Sequence, residues 1–247
     1  MIEFIDIHKR FGEKRVLEGV SITVEAGRVL YLIGTSGAGK SVLVKHLVGL
    51  LRPDSGRIVL DGQDITGLSE AAFYAVRRKC AMVFQHSTLF DSMTVLDNVA
   101  LPYRKHARMK RAEANERALE KLALVGMREA AWRLPAEIGA GLQKRVAIAR
   151  ALTLDPQFVI FDEPTTGLDP LAAKHVDDLI RSLRNDTGVT AIVVSHDIRS
   201  IFTVADRIAM IYQGGIRLDG TPDDFRRSDD PVVRQFITGR PDGPMVI

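Results

Sequence analysis

The residues best suited to chemistry in this sequence form one short glycine-rich run at positions 34–41. Its members are Gly34, Thr35, Ser36, Gly37, Ala38, Gly39, Lys40 and Ser41. A glycine, four residues and then Gly-Lys-Ser is typical of a loop that binds nucleotide phosphates. Glycines let backbone N–H groups approach the oxygens, the lysine can reach the β- and γ-phosphates, and the serine hydroxyl can hold Mg²⁺. All eight residues are therefore predicted to bind a nucleotide.

The segments on either side of this run have the character that such a loop requires. Residues 29–33 are apolar and β-branched, as in a buried strand, and residues 41–50 carry apolar side chains at helical spacing. A strand, a glycine turn and a helix in that order bring the positive end of the helix to one point. The alternative is an ordinary glycine turn, but chance gives the four fixed residues in roughly one such chain in a hundred. A nucleotide site is favoured.

An acidic pair and a histidine follow two other apolar runs. Asp162 and Glu163 come after residues 158–161, and His196 comes after residues 191–194 and a serine. Beside a phosphate loop, Asp162 is suited to anchoring Mg²⁺ and Glu163 to polarising the attacking water. Without the loop, the pair would be read as a solvated strand end. His196 has the chemistry to bond the γ-phosphate or its water, although a lone histidine is more often structural.

Composition limits the classes of protein to consider. The chain has 247 residues, 46% of them hydrophobic and 26% charged, which is typical of a globular protein with one large domain. The net charge of +3 makes no case for nucleic acid, and the single Cys80 fits a reducing compartment. No apolar run approaches the ~20 residues that span a bilayer, and no signal-peptide layout is present. Any membrane role is expected to come through a partner.

Strand and helix patterns alternate along the chain around one helical stretch. Residues 86–153 lack strand alternation and are rich in helix formers. A basic cluster at residues 104–111 is interpreted as a solvated helix junction, with a membrane or nucleic-acid surface as the alternative. The expected divisions of a single domain are an α/β core at residues 1–85 and 154–220, a helical lobe at 86–153 and a tail at 221–247. Residues 239–244 of the tail are expected to be extended or loose.

The order of these motifs resembles that of ATP-binding-cassette (ABC) ATPases over nearly the whole chain. The landmarks are Phe11, the loop at 34–41, Gln85, residues 134–137 before a helix at 143–152, Asp162 and Glu163, residues 167–170 and residues 195–197. The resemblance implies an α/β fold of the P-loop NTPase class and ABC-ATPase type. That fold has a RecA-like α/β core, an N-terminal antiparallel β region and an inserted helical lobe. ATP and Mg²⁺ are the implied cofactors.

Several residue roles follow from the resemblance. Phe11 is expected to stack on adenine, and Gln85 to sense both Mg²⁺ and the γ-phosphate. The implied catalytic residues are Glu163, His196 and Gln85, and the implied Mg²⁺ ligands are Ser41, Gln85 and Asp162. The resemblance also implies a head-to-tail homodimer that forms on ATP binding and holds two ATP molecules. Nucleotide contacts are then also expected from Gly139, Ala140, Gly141 and Asp169.

One motif departs from the family pattern. The family signature reads Leu-Ser-Gly-Gly, whereas the aligned residues here are Ile138, Gly139, Ala140 and Gly141. The hydroxyl that would reach the partner's γ-phosphate is absent, and a methyl group replaces a glycine hydrogen at Ala140. Normal folding and ATP binding are expected, with weaker ATP-driven dimerisation and slow hydrolysis.

Two further stretches, residues 89–102 and 233–244, are similar to the ATPases of Mla/Mce-type phospholipid transporters. The implied function is ATP hydrolysis that powers phospholipid transport, on the inner face of the cell membrane, with an integral permease and lipid-binding subunits as partners. Three alternatives stay open: an ATPase of another transporter class, a soluble ABC protein acting on DNA or ribosomes, and a nucleotide-gated subunit with little hydrolysis. The second usually carries coiled-coil insertions or two cassettes, which this sequence lacks, so no nucleic-acid partner is expected.

Overall fold

Strands and helices alternate in a computed structural model that describes residues 1–245; residues 246 and 247, the end of the expected tail, lie outside the described residues. The strands are β1 (Ile2–Phe11), β2 (Lys14–Val24), β3 (Val29–Ile33), β4 (Ser55–Leu60), β5 (Gln63–Asp64), β6 (Cys80–Val83), β7 (Phe158–Asp162), β8 (Thr190–Val194), β9 (Arg207–Tyr212) and β10 (Gly215–Gly220). The helices are α1 (Lys40–Leu47), α2 (Glu70–Lys79), α3 (Val95–His106), α4 (Arg111–Leu124), α5 (Ala140–Ala151), α6 (Pro170–Thr187), α7 (Ile198–Val204), α8 (Pro222–Arg227) and α9 (Pro231–Thr238).

The main sheet brings the predicted chemistry to one edge. Its strand order is β10-β9-β3-β8-β7-β6, and all neighbours except the β9–β10 hairpin run parallel. Every residue of β3, β7 and β8 is buried, which explains their continuous apolar runs. The carboxyl ends of these three strands lie at the same edge of the sheet. The phosphate loop follows β3, Asp162 is the last residue of β7, and His196 comes just after β8.

The expected N-terminal antiparallel region is confirmed. It is a sheet of order β2-β1-β4-β5, in which Phe4 of β1 pairs with Ile22 on one side and Ile58 on the other. Alternate residues of β3 belong to different cores because successive side chains point to opposite faces of a sheet. Leu30 and Leu32 pack in the cluster shared with the antiparallel sheet and α1, and Tyr31 packs in the cluster on the other face.

Residues 86–153 form helices and turns without a strand, as the sequence predicts. Thr94 caps α3 by accepting the Asp97 N–H at 3.1 Å, and short 3₁₀ turns connect α4 to α5. Helix α5 begins at Ala140, three residues before the helix predicted at 143–152, because Gly139 takes the extended cap conformation. The basic cluster does lie at a junction, between the end of α3 and the start of α4.

The C-terminal tail, expected to be extended or loose at residues 239–244, is tied to the helix that precedes it. The tail contains two short helices, α8 and α9, and residues 239–245 have no regular secondary structure. However, the buried Gln235 side chain accepts the Met245 N–H at 2.7 Å and donates to the Met245 carbonyl at 3.2 Å. Met245 is itself buried in the core, so the segment is held in place.

Candidate nucleotide site

The phosphate loop wraps closely because two of its glycines occupy positions that no other residue fits. Gly34 has a φ of 145°, and a Cβ there would overlap the carbonyl oxygen of Ile211. Gly39 has a φ of 102°, and a Cβ there would lie 2.9 Å from the carbonyl oxygen of Val16. Both values of φ are strained for residues with a side chain. The loop therefore delivers the N-terminus of α1, with its free N–H groups and positive dipole end, to the edge of the main sheet.

Lys40 is a buried cation held inside this loop. Its Nζ donates to the carbonyl oxygens of Gly34 and Thr35, each at 2.9 Å. Burial lowers the pKa of Lys40, while the nearby carboxylates of Glu163 and Asp162 act in the opposite direction. The ammonium group is therefore bonded to neutral carbonyls at the place where the loop would receive phosphate.

A hydroxyl and a carboxylate meet across the cleft at the ends of two elements. Ser41, the second residue of α1, donates from Oγ to Oδ1 of Asp162 at 2.7 Å, and Asp162 is the last residue of β7. These are the hard oxygen ligands that Mg²⁺ prefers when phosphates and water complete its coordination. No group of three or more His, Cys, Asp or Glu side chains that could hold a metal ion occurs within residues 1–245. The donor set fits Mg²⁺.

Glu163 is directed into the cleft by its backbone and by two neighbours. Its φ of 54° turns the chain sharply after β7, and its N–H donates to the Val194 carbonyl at 2.9 Å. Oε2 accepts the Thr166 hydroxyl at 2.9 Å and lies 2.8 Å from Nδ1 of His196. The Glu163 side chain is only 14% exposed, whereas His196 is 61% exposed. A largely buried carboxylate thus faces the cleft with a fixed orientation.

One cleft of about 670 Å³ collects most of the predicted residues. Its predicted lining residues are Phe11, Gly34, Thr35, Ser36, Gly37, Gly39, Lys40, Ser41, Gln85, Glu163 and His196. Asp162 joins the cleft through its bond to Ser41, and Ala38 faces a neighbouring groove instead. Sequence reasoning missed four lining residues, Lys14, Val16, Val42 and Phe236. The first two follow Phe11 in the N-terminal hairpin, whereas Phe236 lies in the stretch 233–244, whose family similarity does not indicate a place in the cleft.

The remaining predicted nucleotide ligands lie outside this cleft. Gly139 caps α5 without a side-chain bond, and both it and Ala140 are exposed. Asp169 caps α6, where its Oδ1 accepts two backbone N–H groups at 3.0 Å and these bonds hold its pKa below the usual range. The two caps are neighbours, because a Cβ on Gly141 would lie 3.0 Å from Cβ of Ala172. Together they form a second, separate edge of the molecule.

A buried lysine, which sequence reasoning missed, ties this second edge to the cleft. Lys144 of α5 is only 4% exposed, and its Nζ donates to the carbonyl oxygens of Phe84 and Gln85. Burial lowers the pKa of Lys144, and the carboxylates of Asp162 and Glu163 act in the opposite direction. Helix α5 is therefore bonded to the loop that carries Gln85.

Comparison with known proteins assigns the family. A family profile described as ABC transporter matches residues 17–166. The probable ribonucleotide transport ATP-binding protein mkl of Mycobacterium tuberculosis is 41% identical over 244 residues, which cover 99% of this chain and 68% of that protein. The intermembrane phospholipid transport system ATP-binding protein MlaF of Escherichia coli is 36% identical over 245 residues, covering 99% of this chain and 91% of MlaF.

Solved structures agree with the fold. A dimeric ATP-binding cassette, MJ0796, bound to ADP and Pi in a post-hydrolysis state, has a TM-score of 0.82 at 30% identity and covers 90% of this chain and 99% of its own. The cbiO1 protein of Clostridium perfringens, part of the ABC transporter complex cbiONQ, has a TM-score of 0.85 at 26% identity, covering 95% and 93%. Within residues 1–245, no helix is long and apolar enough to cross a membrane. The expected resemblance and fold class are confirmed: the chain belongs to the ABC transporter family, as an ATPase subunit of a transporter.

Proposed function

We propose that this cleft binds MgATP and hydrolyses it to power a membrane transporter of phospholipids. One observation carries the chemical part. At the carboxyl ends of β3 and β7, the Lys40 ammonium and the Ser41 hydroxyl lie close to the carboxylates of Asp162 and Glu163. A cation, a hydroxyl and two carboxylates around one cleft are the groups that phosphoryl transfer requires.

The loop binds the phosphates. A triphosphate would draw the Lys40 ammonium from the neutral carbonyls of Gly34 and Thr35 to anionic oxygens, which make stronger hydrogen bonds. The N–H groups at the start of α1 add their positive potential. Mg²⁺, when bound, supplies charge neutralisation at the β- and γ-phosphates, and Ser41, Asp162 and Gln85 are the residues that would hold it. Phe11, 47% exposed at the mouth of the cleft, is the proposed stacking partner of the base.

Glu163 is the proposed general base. Both Thr166 and His196 engage its Oε2, so we assign the polarisation of the attacking water to Oε1. A carboxylate held in one orientation loses little freedom when the water arrives, which favours proton transfer. His196, much more exposed than Glu163, is the group that meets the γ-phosphate or its water from the solvent side.

A second copy of the chain is proposed to complete the site. Gly139, Ala140, Gly141 and Asp169 do not line the cleft, so we assign their nucleotide contacts to the site of another subunit. The dimeric form of the cassette MJ0796 supports a homodimer. We propose that its two subunits pack head to tail and close on ATP.

Phospholipid is the proposed cargo. The match extends over 91% of MlaF, the ATP-binding protein of a phospholipid transport system, and residues 89–102 and 233–244 resemble ATPases of that type. Ribonucleotide transport is the second candidate, since the mycobacterial relative bears that name at higher identity. That match leaves about a third of the relative uncovered, which favours the first candidate.

A permease subunit is the proposed membrane partner. A groove of about 450 Å³ lies beside the Gln85 loop, and Phe84, Phe90, Lys105 and His106 are among the residues that line it. The buried Asn98 amide shapes it by bonding both the N–H and the carbonyl of Phe90. A short permease helix would dock here, and the chain would lie on the inner face of the membrane. Lipid-binding subunits are expected in the same complex.

Reconstitution tests this function. The chain is purified from membranes with its integral partner, and the complex is placed in vesicles containing a labelled phospholipid. We expect ATP-dependent phospholipid movement that disappears when Glu163→Gln replaces the wild-type subunit in an otherwise identical complex. ATP-dependent movement of a labelled ribonucleotide, with no movement of phospholipid, would show that the cargo is wrong.

A further inference from the structure

The C-terminal segment, defined as α9 together with residues 239–245, is fixed by one glutamine. Gln235 is buried, and its Nε2 donates to the carbonyls of Met245 and Pro241 while its Oε1 accepts the Met245 N–H. A Cβ on Gly243 would overlap the Gln235 amide, so a glycine is required where the chain crosses it. A buried amide with three backbone bonds rigidly connects the end of the segment to α9.

This fixed segment lies against the phosphate loop. Pro244 and Met245 share a groove with Thr35 and Ser36 of the loop and with Tyr212 at the end of β9. The residue after the buried glutamine, Phe236, lines the nucleotide cleft itself. Phe236 of α9 therefore reaches the nucleotide cleft, while Pro244 and Met245 reach the groove beside the phosphate loop.

Two aromatic side chains from opposite ends of the chain thus line one cleft. Phe11 and Lys14 enter it from the N-terminal hairpin, and Phe236 enters it from α9. The phosphate end of the cleft is defined by Lys40, so the apolar residues are left for the base. An aromatic ring stacks on any nucleobase without hydrogen-bond specificity.

We propose that Phe236 is a second base-binding residue, which contacts the nucleobase in the cleft that Phe11 also lines. This proposal rests on the proposed binding of ATP by the cleft. The C-terminal segment then has a direct part in nucleotide affinity, and the Gln235 amide is the positioning group that holds Phe236 at the cleft. The ligand is the nucleotide of the proposed function, and the contact is to its base rather than to its phosphates.

The test compares a nucleotide with a ligand that has phosphates and no base. The dissociation constants of ATP, ADP and inorganic tripolyphosphate are measured for the wild type, Phe236→Ala, Phe236→Leu and Phe236→Trp. We expect Phe236→Ala and Phe236→Leu to weaken ATP and ADP by roughly tenfold, the loss of one stacking contact. Tripolyphosphate affinity should stay unchanged, and Phe236→Trp should bind ATP at least as well as the wild type.

Phe202→Ala is the matched control, because Phe202 is a half-buried aromatic of α7 that packs under Arg226 and does not line the cleft. It should bind all three ligands like the wild type. Equal ATP affinity in the wild type and Phe236→Leu would overturn the proposal, and so would an equal loss of ATP and tripolyphosphate affinity. A wild type that binds none of the three ligands would instead contradict the proposed function, since Lys40 and the loop would then not receive phosphate.

Discussion

Restoring the family signature with the double variant Gly139→Ser and Ala140→Gly should raise the rate of ATP hydrolysis. Gly139 has a φ of −67° and a ψ of 161°, which a serine adopts without strain, and a Cβ there would meet nothing within 4 Å. A serine cap in place of glycine changes the free energy of unfolding by only a few tenths of a kcal/mol. Ala140 is exposed at the start of α5, so Ala140→Gly costs at most about 1 kcal/mol. The double variant should fold normally.

The expected gain comes from one hydrogen bond. The serine hydroxyl would donate to the charged γ-phosphate of the second subunit, an interaction of about 1.5–3 kcal/mol. If that bond strengthens in the transition state, turnover rises by roughly ten- to a hundredfold. Removing the Ala140 methyl group lets the two subunits approach more closely. The assay is the rate of ATP hydrolysis at saturating MgATP, with ATP affinity and thermal stability measured on the same preparations.

A matched variant separates stability from chemistry. Lys110 caps α4 with nearly the same backbone angles as Gly139 and also without a side-chain bond. Lys110→Ser should therefore add a helix cap without changing turnover. If Gly139→Ser with Ala140→Gly hydrolyses ATP at the wild-type rate, the reasoning is refuted, because another donor must already serve the γ-phosphate.

Two further predictions concern buried charges. Lys144→Gln removes the cation bonded to the Gln85 carbonyl, so it should lower the rate of ATP hydrolysis about tenfold with ATP affinity unchanged. Lys144→Arg keeps the cation and should recover part of the loss. Equal losses in both variants would contradict this positioning role. Asp177 accepts the Ser200 hydroxyl at 2.6 Å, and burial raises the pKa of Asp177 to about 6. The neutral carboxyl group therefore contributes its full stabilisation below about pH 4, and this stabilisation is lost as the pH rises through 6. Asp177→Asn stays neutral, so its free energy of unfolding relative to the wild type should rise by up to about 3 kcal/mol between pH 4 and 7 in denaturant titrations. If the difference in free energy of unfolding does not change with pH, the raised pKa of Asp177 is contradicted.

Local patterns predict much of the site because they lie within single segments. The spacing of Gly34 and Lys40, between an apolar strand and a helix, identifies the phosphate loop without any tertiary information. Asp162 and His196 are predictable for the same reason, since each comes at or just after the end of a buried apolar run. Parallel strands then bring these ends to one edge of the sheet.

The missed residues depend on contacts between distant segments. Lys144 lies in a helix rich in basic side chains, and its burial follows only from the packing of α5 on the Gln85 loop. Thr166 is one of several hydroxyl residues after β7, and its bond to Glu163 depends on the positive φ of that glutamate. Phe236 lines the cleft only because the tertiary fold brings α9 next to the phosphate loop and the N-terminal hairpin. No local spacing encodes these three positions.

We propose that Glu163 activates water in an ATP-bound dimer, and the Glu163→Gln variant tests this role because it separates dimer formation from hydrolysis. Glutamine keeps the shape of the side chain and can still accept the Thr166 hydroxyl, but it cannot take a proton. The molecular mass in solution and the rate of phosphate release are followed together in MgATP. We expect Glu163→Gln to form a closed dimer that retains ATP and releases phosphate at least about a hundredfold more slowly than the wild type. A Glu163→Gln protein that stays monomeric and hydrolyses ATP at the wild-type rate would contradict it.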